Sequence, residues 1–132
     1  MLDISSLEKA IARLERGAER SESSPQDEEL RDAVILRFQY TYELCWKMLK
    51  RQLEAESPNP SSVDALSFRD LIREGAERHI IQNVESWFEY REQRNITSHT
   101  YDRKKAESVY KTALLFLDDA RKLLQALKDR LI

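Results

Sequence analysis

Ala106-Glu107-Ser108-Val109-Tyr110-Lys111-Thr112-Ala113-Leu114-Leu115-Phe116-Leu117-Asp118-Asp119-Ala120-Arg121-Lys122-Leu123-Leu124-Gln125-Ala126-Leu127 decides the fold. Within it and just beyond, Ala106, Tyr110, Ala113, Leu117, Ala120, Leu124, Leu127 and Leu131 recur alternately four and three residues apart. A sustained heptad of this kind lays one apolar line along a helix and marks antiparallel bundle packing or a coiled-coil seam. Val109, Leu114, Phe116 and Leu123 widen the stripe. Asp102 stands before it as an N-cap, so the sequence predicts a helix over about 103–130.

The elements before it follow the same logic. Asn83 is placed to cap a helix with Glu85 in its first turn, Val84, Trp87, Phe88 and Arg91 on its inner side, and an end near Thr97 to His99. Ser67 followed by Asp70 opens a short helix from Phe68 to about Glu77, with Phe68, Leu71 and Ile72 as its apolar face. His79, beside Ile80 and Ile81, reads as a partly buried structural histidine. Ser57 to Ser62 carries Pro58 and Pro60 and reads as a linker without helix. A long helix over 25–56 starts with Ser24 as N-cap and Pro25 at its first position. It has three stripes: Leu30, Val34, Phe38, Tyr42, Cys45, Leu49, Leu53; then Ile35, Tyr42, Trp46, Leu49; then Leu36, Tyr40, Leu44, Met48. A helix apolar on so much of its circumference sits centrally. Most of Phe38, Tyr40, Tyr42 and Trp46 therefore read as core rather than as a binding platform. Leu7, Ile11 and Leu14 give a first helix over 3–20, with Gly17 weakening its last turn. The expected fold is all-α, an antiparallel up-and-down bundle of four main helices plus one short helix, forming one domain over 1–132.

Composition narrows the function classes. The 132 residues hold 35% charged and 41% hydrophobic side chains with 2 Gly and 3 Pro, which favours solvated helices. The formal net charge of −2 excludes an overall basic field, so nucleic-acid binding must rest on a local patch. The lone cysteine, Cys45, falls in an apolar pattern and reads as packing, and no Cys/His spacing suggests a metal site. Nor is a cofactor motif present. No apolar run reaches membrane-spanning length and no signal-peptide pattern opens the chain, so the expectation is a cytoplasmic protein without a membrane partner.

The polar string Arg94-Asn95-Ile96-Thr97-Ser98-His99-Thr100-Tyr101-Asp102 is where chemistry is expected. A guanidinium grips phosphate oxygens and stabilises developing negative charge. An imidazole moves a proton. Near an RNA phosphodiester, the pair Arg94 and His99 suits attack by the internal 2′-hydroxyl. On a straight helix the two lie about 140° apart, so they converge only if the helix ends between them, if Arg94 reaches around, or if two chains pool their groups at a two-fold axis. Asn95 and Ser98 are candidates to hold the phosphate or fix the imidazole tautomer. Arg91, Arg103, Lys104 and Lys105 flank the string as candidate RNA contacts. The same residues also fit plain salt bridges and helix caps.

Arg94 to Tyr101 fits Arg, four residues, His, one residue, Tyr, and resembles the signature of HEPN-domain ribonucleases of the HepT type. Leu36 to Lys50, Phe68-Arg69-Asp70 with Gly75, and Trp87 are similar to the nucleotidyltransferase substrate-binding protein family. The resemblance implies a helical homodimer paired with a minimal nucleotidyltransferase. In that scheme the bundle is a metal-independent ribonuclease toxin acting on RNA, and the transferase is the antitoxin that adds AMP to the motif tyrosine. Carried over, Arg94 and His99 are the catalytic pair, Asn95 supports them, and Tyr101 is the modification target. The alternative within the family is a non-catalytic substrate-binding subunit of the transferase.

Overall fold

A computed structural model describes residues 2–131. Its elements are α1 (Ser5–Ser23), α2 (Glu28–Glu56), α3 (Pro60–Asp64), α4 (Phe68–Glu77), α5 (Val84–Ile96), a 3₁₀ turn (Thr97–His99) and α6 (Arg103–Asp129). No strand occurs among the described residues. The four long helices α1, α2, α5 and α6 form the expected up-and-down bundle. Helix α2 is central, touching α1, α6, α5, α4 and α3. The one-turn α3 is an addition to expectation. Pro60 occupies its first turn, where a missing N–H costs nothing, so this proline starts a helix instead of preventing one.

Caps explain most boundaries. Ser67 Oγ accepts from Asp70 N–H at 3.2 Å, and Asp102 Oδ1 accepts from the N–H groups of Lys104 and Lys105, as expected. Helix α2 begins at Glu28 instead of 25, because Asp27, and not Ser24, accepts from Glu29 and Leu30 N–H. Helix α1 runs on to Ser23, so Gly17, contrary to expectation, is not in its last turn. It is buried where Arg37 crosses, and a Cβ there would lie 3.1 Å from Arg37 Nη1. His79 is exposed, contrary to expectation. It takes φ 62° after α4, with Ile80 N–H bonded to Gly75 O and His79 N–H to Ala76 O. That is the Schellman closure of a helix end, in which the left-handed residue turns its side chain to solvent.

The core is one cluster in which α6 lays down Ala106, Val109, Ala113, Phe116, Ala120, Leu123 and Leu127. The expected line is buried at Ala106, Ala113, Leu117, Ala120 and Leu127 but only half-buried at Tyr110, Leu124 and Leu131, and the expected widening residues Val109, Phe116 and Leu123 complete the buried heptad. On α2 the stripe of Phe38, Tyr42, Cys45, Leu49 and Leu53 is buried, whereas Leu36 is 60% exposed and Tyr40, Leu44 and Trp46 are partly exposed. Burial pushes the Cys45 thiol pKa up, so the residue packs as an inert apolar group.

Three helix ends meet at one carboxylate. Glu56, closing α2, accepts from Arg130 Nε at 2.6 Å and Nη2 at 2.9 Å, from Gln52 at 2.6 Å and from Arg78 at 3.4 Å. The Arg130 hydrogen bonds, with Gln52 and Arg78 adding, hold its carboxyl down at about 2. A carboxyl held low in the folded chain stabilises it above the unfolded pKa of about 4.3 and loses that contribution as pH falls toward 2. Allowing for solvent screening, about 1–2 kcal/mol is at stake. Glu56→Gln is therefore expected to be less stable than wild type at pH 7 and nearly equal to it at pH 2.5. Urea denaturation at the two pH values checks this.

Candidate functional site

The end of α5 carries the polar string. The helix stops at Ile96 and tightens into the 3₁₀ turn. Thr97 Oγ1 donates to Arg94 O at 2.7 Å, and Asp102 N–H donates to His99 O at 3.0 Å. The turn is thus closed on both sides by its own residues. One condition set by the spacing is met: the α-helix ends between Arg94 and His99.

Arg94 crosses to α2. Its Nε lies 2.7 Å from Glu43 Oε1, yet this buried N–H is not aimed well enough to make a hydrogen bond. The contact is an ion pair held by charge rather than by donor geometry. Glu43 is fixed from its other oxygen, since Trp46 Nε1 donates to Oε2 at 3.2 Å. Neither terminal amino group of Arg94 makes a hydrogen bond among the described residues, the closest approach to Glu43 being through Nε. The side chain is 38% exposed, so those groups are within reach of an incoming anion.

Arg94 and Asn95 line a cleft of about 340 Å³ with Tyr42, Glu43, Trp46, Phe68 and Arg91. The Arg91 guanidinium lies 4.4 Å from the Phe68 ring centroid. Burial pushes the Tyr42 phenol pKa up, so it stays protonated. His99 is outside this lining. It stands exposed on the turn with Nδ1 3.4 Å from the Tyr101 hydroxyl, and Tyr101 is 85% exposed. Ser98 is exposed. Arg103 pairs with Glu107 at 3.1 Å and lines a separate cavity of about 230 Å³ beside Asp27 and Tyr110. Lys104 and Lys105 are exposed at the start of α6. One chain therefore gathers Arg91, Arg94 and Asn95 in the cleft, His99 with Tyr101 on the turn, and Arg103 elsewhere.

Glu43 and Trp46 are the participants that sequence reading missed as site residues. Their partner lies 51 residues from Glu43, beyond any local pattern. The available signal was a lone carboxylate in the otherwise uncharged stretch 38–46, one turn before a tryptophan. Among the described residues no group of three His, Cys, Asp or Glu is placed to hold a metal ion. No helix there is long and apolar enough to cross a membrane.

Residues 2–129 match the family described as nucleotidyltransferase substrate binding protein like. A Haemophilus influenzae protein named "Probable ribonuclease HepT" is 41% identical over 97 residues, which is 74% of this chain and 66% of that protein, just under two thirds of its length. A solved Haemophilus influenzae structure, described as revealing the fold of a substrate binding domain of a nucleotidyltransferase, is 34% identical with a TM-score of 0.90. The match covers 96% of this chain and 99% of that one. A crystal structure from Thermus thermophilus is 28% identical with a TM-score of 0.71, over 93% and 97% of the two chains.

The Glu43 contact makes a specific demand. Glu43→Gln removes the charge that draws Arg94 inward but keeps the acceptor for Trp46. Stability is expected to change by less than about 1 kcal/mol, because the pair is only partly buried. The Nε order parameter of Arg94, measured by ¹⁵N relaxation, is expected to fall clearly in the variant.

Proposed function

The chain belongs to the nucleotidyltransferase substrate binding protein like family, and from that premise we propose that it is a metal-independent endoribonuclease toxin. The observation that carries this reading is the state of Arg94. It is ion-paired with Glu43, Nε nearest, and its two terminal amino groups make no hydrogen bond among the described residues, on a helix end that also presents an exposed imidazole. The printed name of the Haemophilus influenzae relative supports the same activity.

The chemistry follows from those groups. The RNA 2′-hydroxyl attacks the adjacent phosphorus, the bond to the 5′-oxygen breaks, and a 2′,3′-cyclic phosphate and a 5′-hydroxyl result. Arg94 stabilises the extra negative charge on the phosphoryl oxygens as it develops. His99 takes or gives the proton that must move. Because His99 lies outside the cleft that Arg94 lines, the full set is assembled in a homodimer, where two helix ends meet across a two-fold axis. Asn95 and Ser98 hold the phosphate, and Arg91, Arg103 and Lys104 guide the strand. No cofactor takes part, and the protein meets its RNA in the cytoplasm.

The exposed Tyr101 hydroxyl fits the role of modification target for a minimal nucleotidyltransferase antitoxin. Its oxygen attacks the α-phosphorus of ATP, pyrophosphate leaves, and AMP remains attached. An added phosphate beside His99 repels the RNA phosphate and blocks the site. A second reading, a non-catalytic substrate-binding subunit of the transferase, draws on the description of the Haemophilus influenzae structure.

RNA cleavage in EDTA tests the proposal. Wild type is expected to cut, and Arg94→Ala and His99→Ala each to lose at least a hundredfold in rate, the usual scale for removing a charge stabiliser or a proton carrier. Both side chains are partly or fully exposed, so both variants are expected to stay folded. A wild-type protein that cuts none of several RNAs contradicts the enzyme and favours the partner subunit.

A further inference from the structure

The cleft beside Arg94 contains more than phosphate binding requires. Three cations, Lys50, Arg91 and Arg94, face one carboxylate, Glu43, in its lining, although the chain as a whole is acidic. Aromatic surface comes from Trp46, which is partly exposed, and from Phe68, already layered under the Arg91 guanidinium. Asn95 brings an amide with both donors and an acceptor. Val63 and Leu66 form an apolar wall where α3 runs toward α4. Lys50 ties that wall to α2 by pairing with Asp64 at 3.0 Å. At about 340 Å³ the space is at the small end of ligand sites, which span roughly 300–1,000 Å³. It suits one flat ring with its phosphate and is too small for a duplex.

We propose that this cleft seats one unstacked nucleobase of a single-stranded RNA, next to the phosphate that Arg94 grips. The inference rests on the ribonuclease reading for its substrate class and names the subsite that the reading leaves open. Indole faces and arginine planes are the surfaces on which proteins stack splayed-out RNA bases. Here both kinds stand in one cleft with the phosphate-binding arginine. Trp46 supplies the stacking face, Asn95 reads the base edge, and Arg91 neutralises a neighbouring phosphate. Trp46 also donates to Glu43, so the residue that meets the base is coupled through one carboxylate to the residue that meets the phosphate. A free mononucleotide presents the same ring and phosphate, and only the neighbouring phosphates distinguish the strand from it.

The test is a binding titration with the His99→Ala protein, so that RNA stays intact. The Trp46 indole N–H signal is identified by its loss in Trp46→Phe. Short single-stranded RNA oligomers and the four nucleoside monophosphates are added in turn, with inorganic phosphate as the control. The expected result is a shift of the Trp46 signal by oligomers and more weakly by monophosphates, with no shift from phosphate alone. Oligomers are expected to bind at least tenfold tighter than monophosphates. Trp46→Ala is expected to lose about tenfold or more in oligomer affinity, the size of one stacking contact, while Trp46→Phe keeps most of it. Monophosphates binding tighter than oligomers would make the cleft a free-nucleotide site and overturn the proposal. Oligomers that bind without moving the Trp46 signal would overturn it as well. Binding needs no cleavage, so a wild type that binds in this way but never cuts RNA sinks the ribonuclease reading and leaves the subsite standing.

Discussion

Phe116 is the contact on which the bundle turns. Its ring meets Phe38 at 5.1 Å and 85°, Trp87 at 5.7 Å and 77°, and Tyr90 at 5.1 Å and 81°. These edge-on contacts join α6 to both α2 and α5. Each adds about 0.5–1.5 kcal/mol beyond area burial, which is comparable in sum to burying the ring itself. The rest of the α6 seam makes room for it. Ala106, Ala113 and Ala120 let the neighbouring helices come close, and one large ring then fills the remaining space. Because Phe38, Trp87 and Tyr90 all seat on it, the angle of α5 against α2 is fixed. That angle decides that Arg94 leaves α5 opposite Glu43.

Polar groups then set the ends. Asp119, buried on α6, accepts from the hydroxyl of Tyr90 and from Asn83 Nδ2 at 3.0 Å. This locks the register of α5 against α6 at one end, while the arginine–glutamate pair holds the other against α2. Such partly buried pairs contribute little net stability, since desolvation offsets much of the attraction. Their effect is positional: they fix where Arg94 stands on the end of α5. The Glu56 cluster fixes position where α2, α4 and α6 end and, in addition, contributes to stability.

The sequence disclosed the fold well because its signals were local. Ser67 and Asp102 each cap a helix with their own side chain, and those caps were readable. Asn83 is different. It stands at the N-cap position of α5, but its side chain turns to Asp119, 36 residues away. On α6 two offset heptads share the same alanines, so the sequence names the buried residues without ranking Phe116 above Tyr110. Tertiary packing chose the one that buries Phe116 and leaves Tyr110 at the rim, bonded to Ser21. Pro60 and His79 misled for a related reason: the first turn of a helix tolerates proline, and the residue after a helix end can be left-handed. At the site, Arg94, Asn95, His99 and Tyr101 stood in one string. Glu43 and Trp46 lie on another helix, so only the folded chain brings them to Arg94.

We propose that an arginine paired with Glu43 and an exposed histidine, brought together where two helix ends meet across a two-fold axis, direct the 2′-hydroxyl of RNA at its own phosphodiester. The ends left by the reaction report on this directly. RNA incubated with the protein in EDTA is predicted to yield fragments with 2′,3′-cyclic phosphate and 5′-hydroxyl termini. Fragments with 3′-hydroxyl and 5′-phosphate termini would contradict the account, because water or another external nucleophile would then have attacked in place of the 2′-hydroxyl.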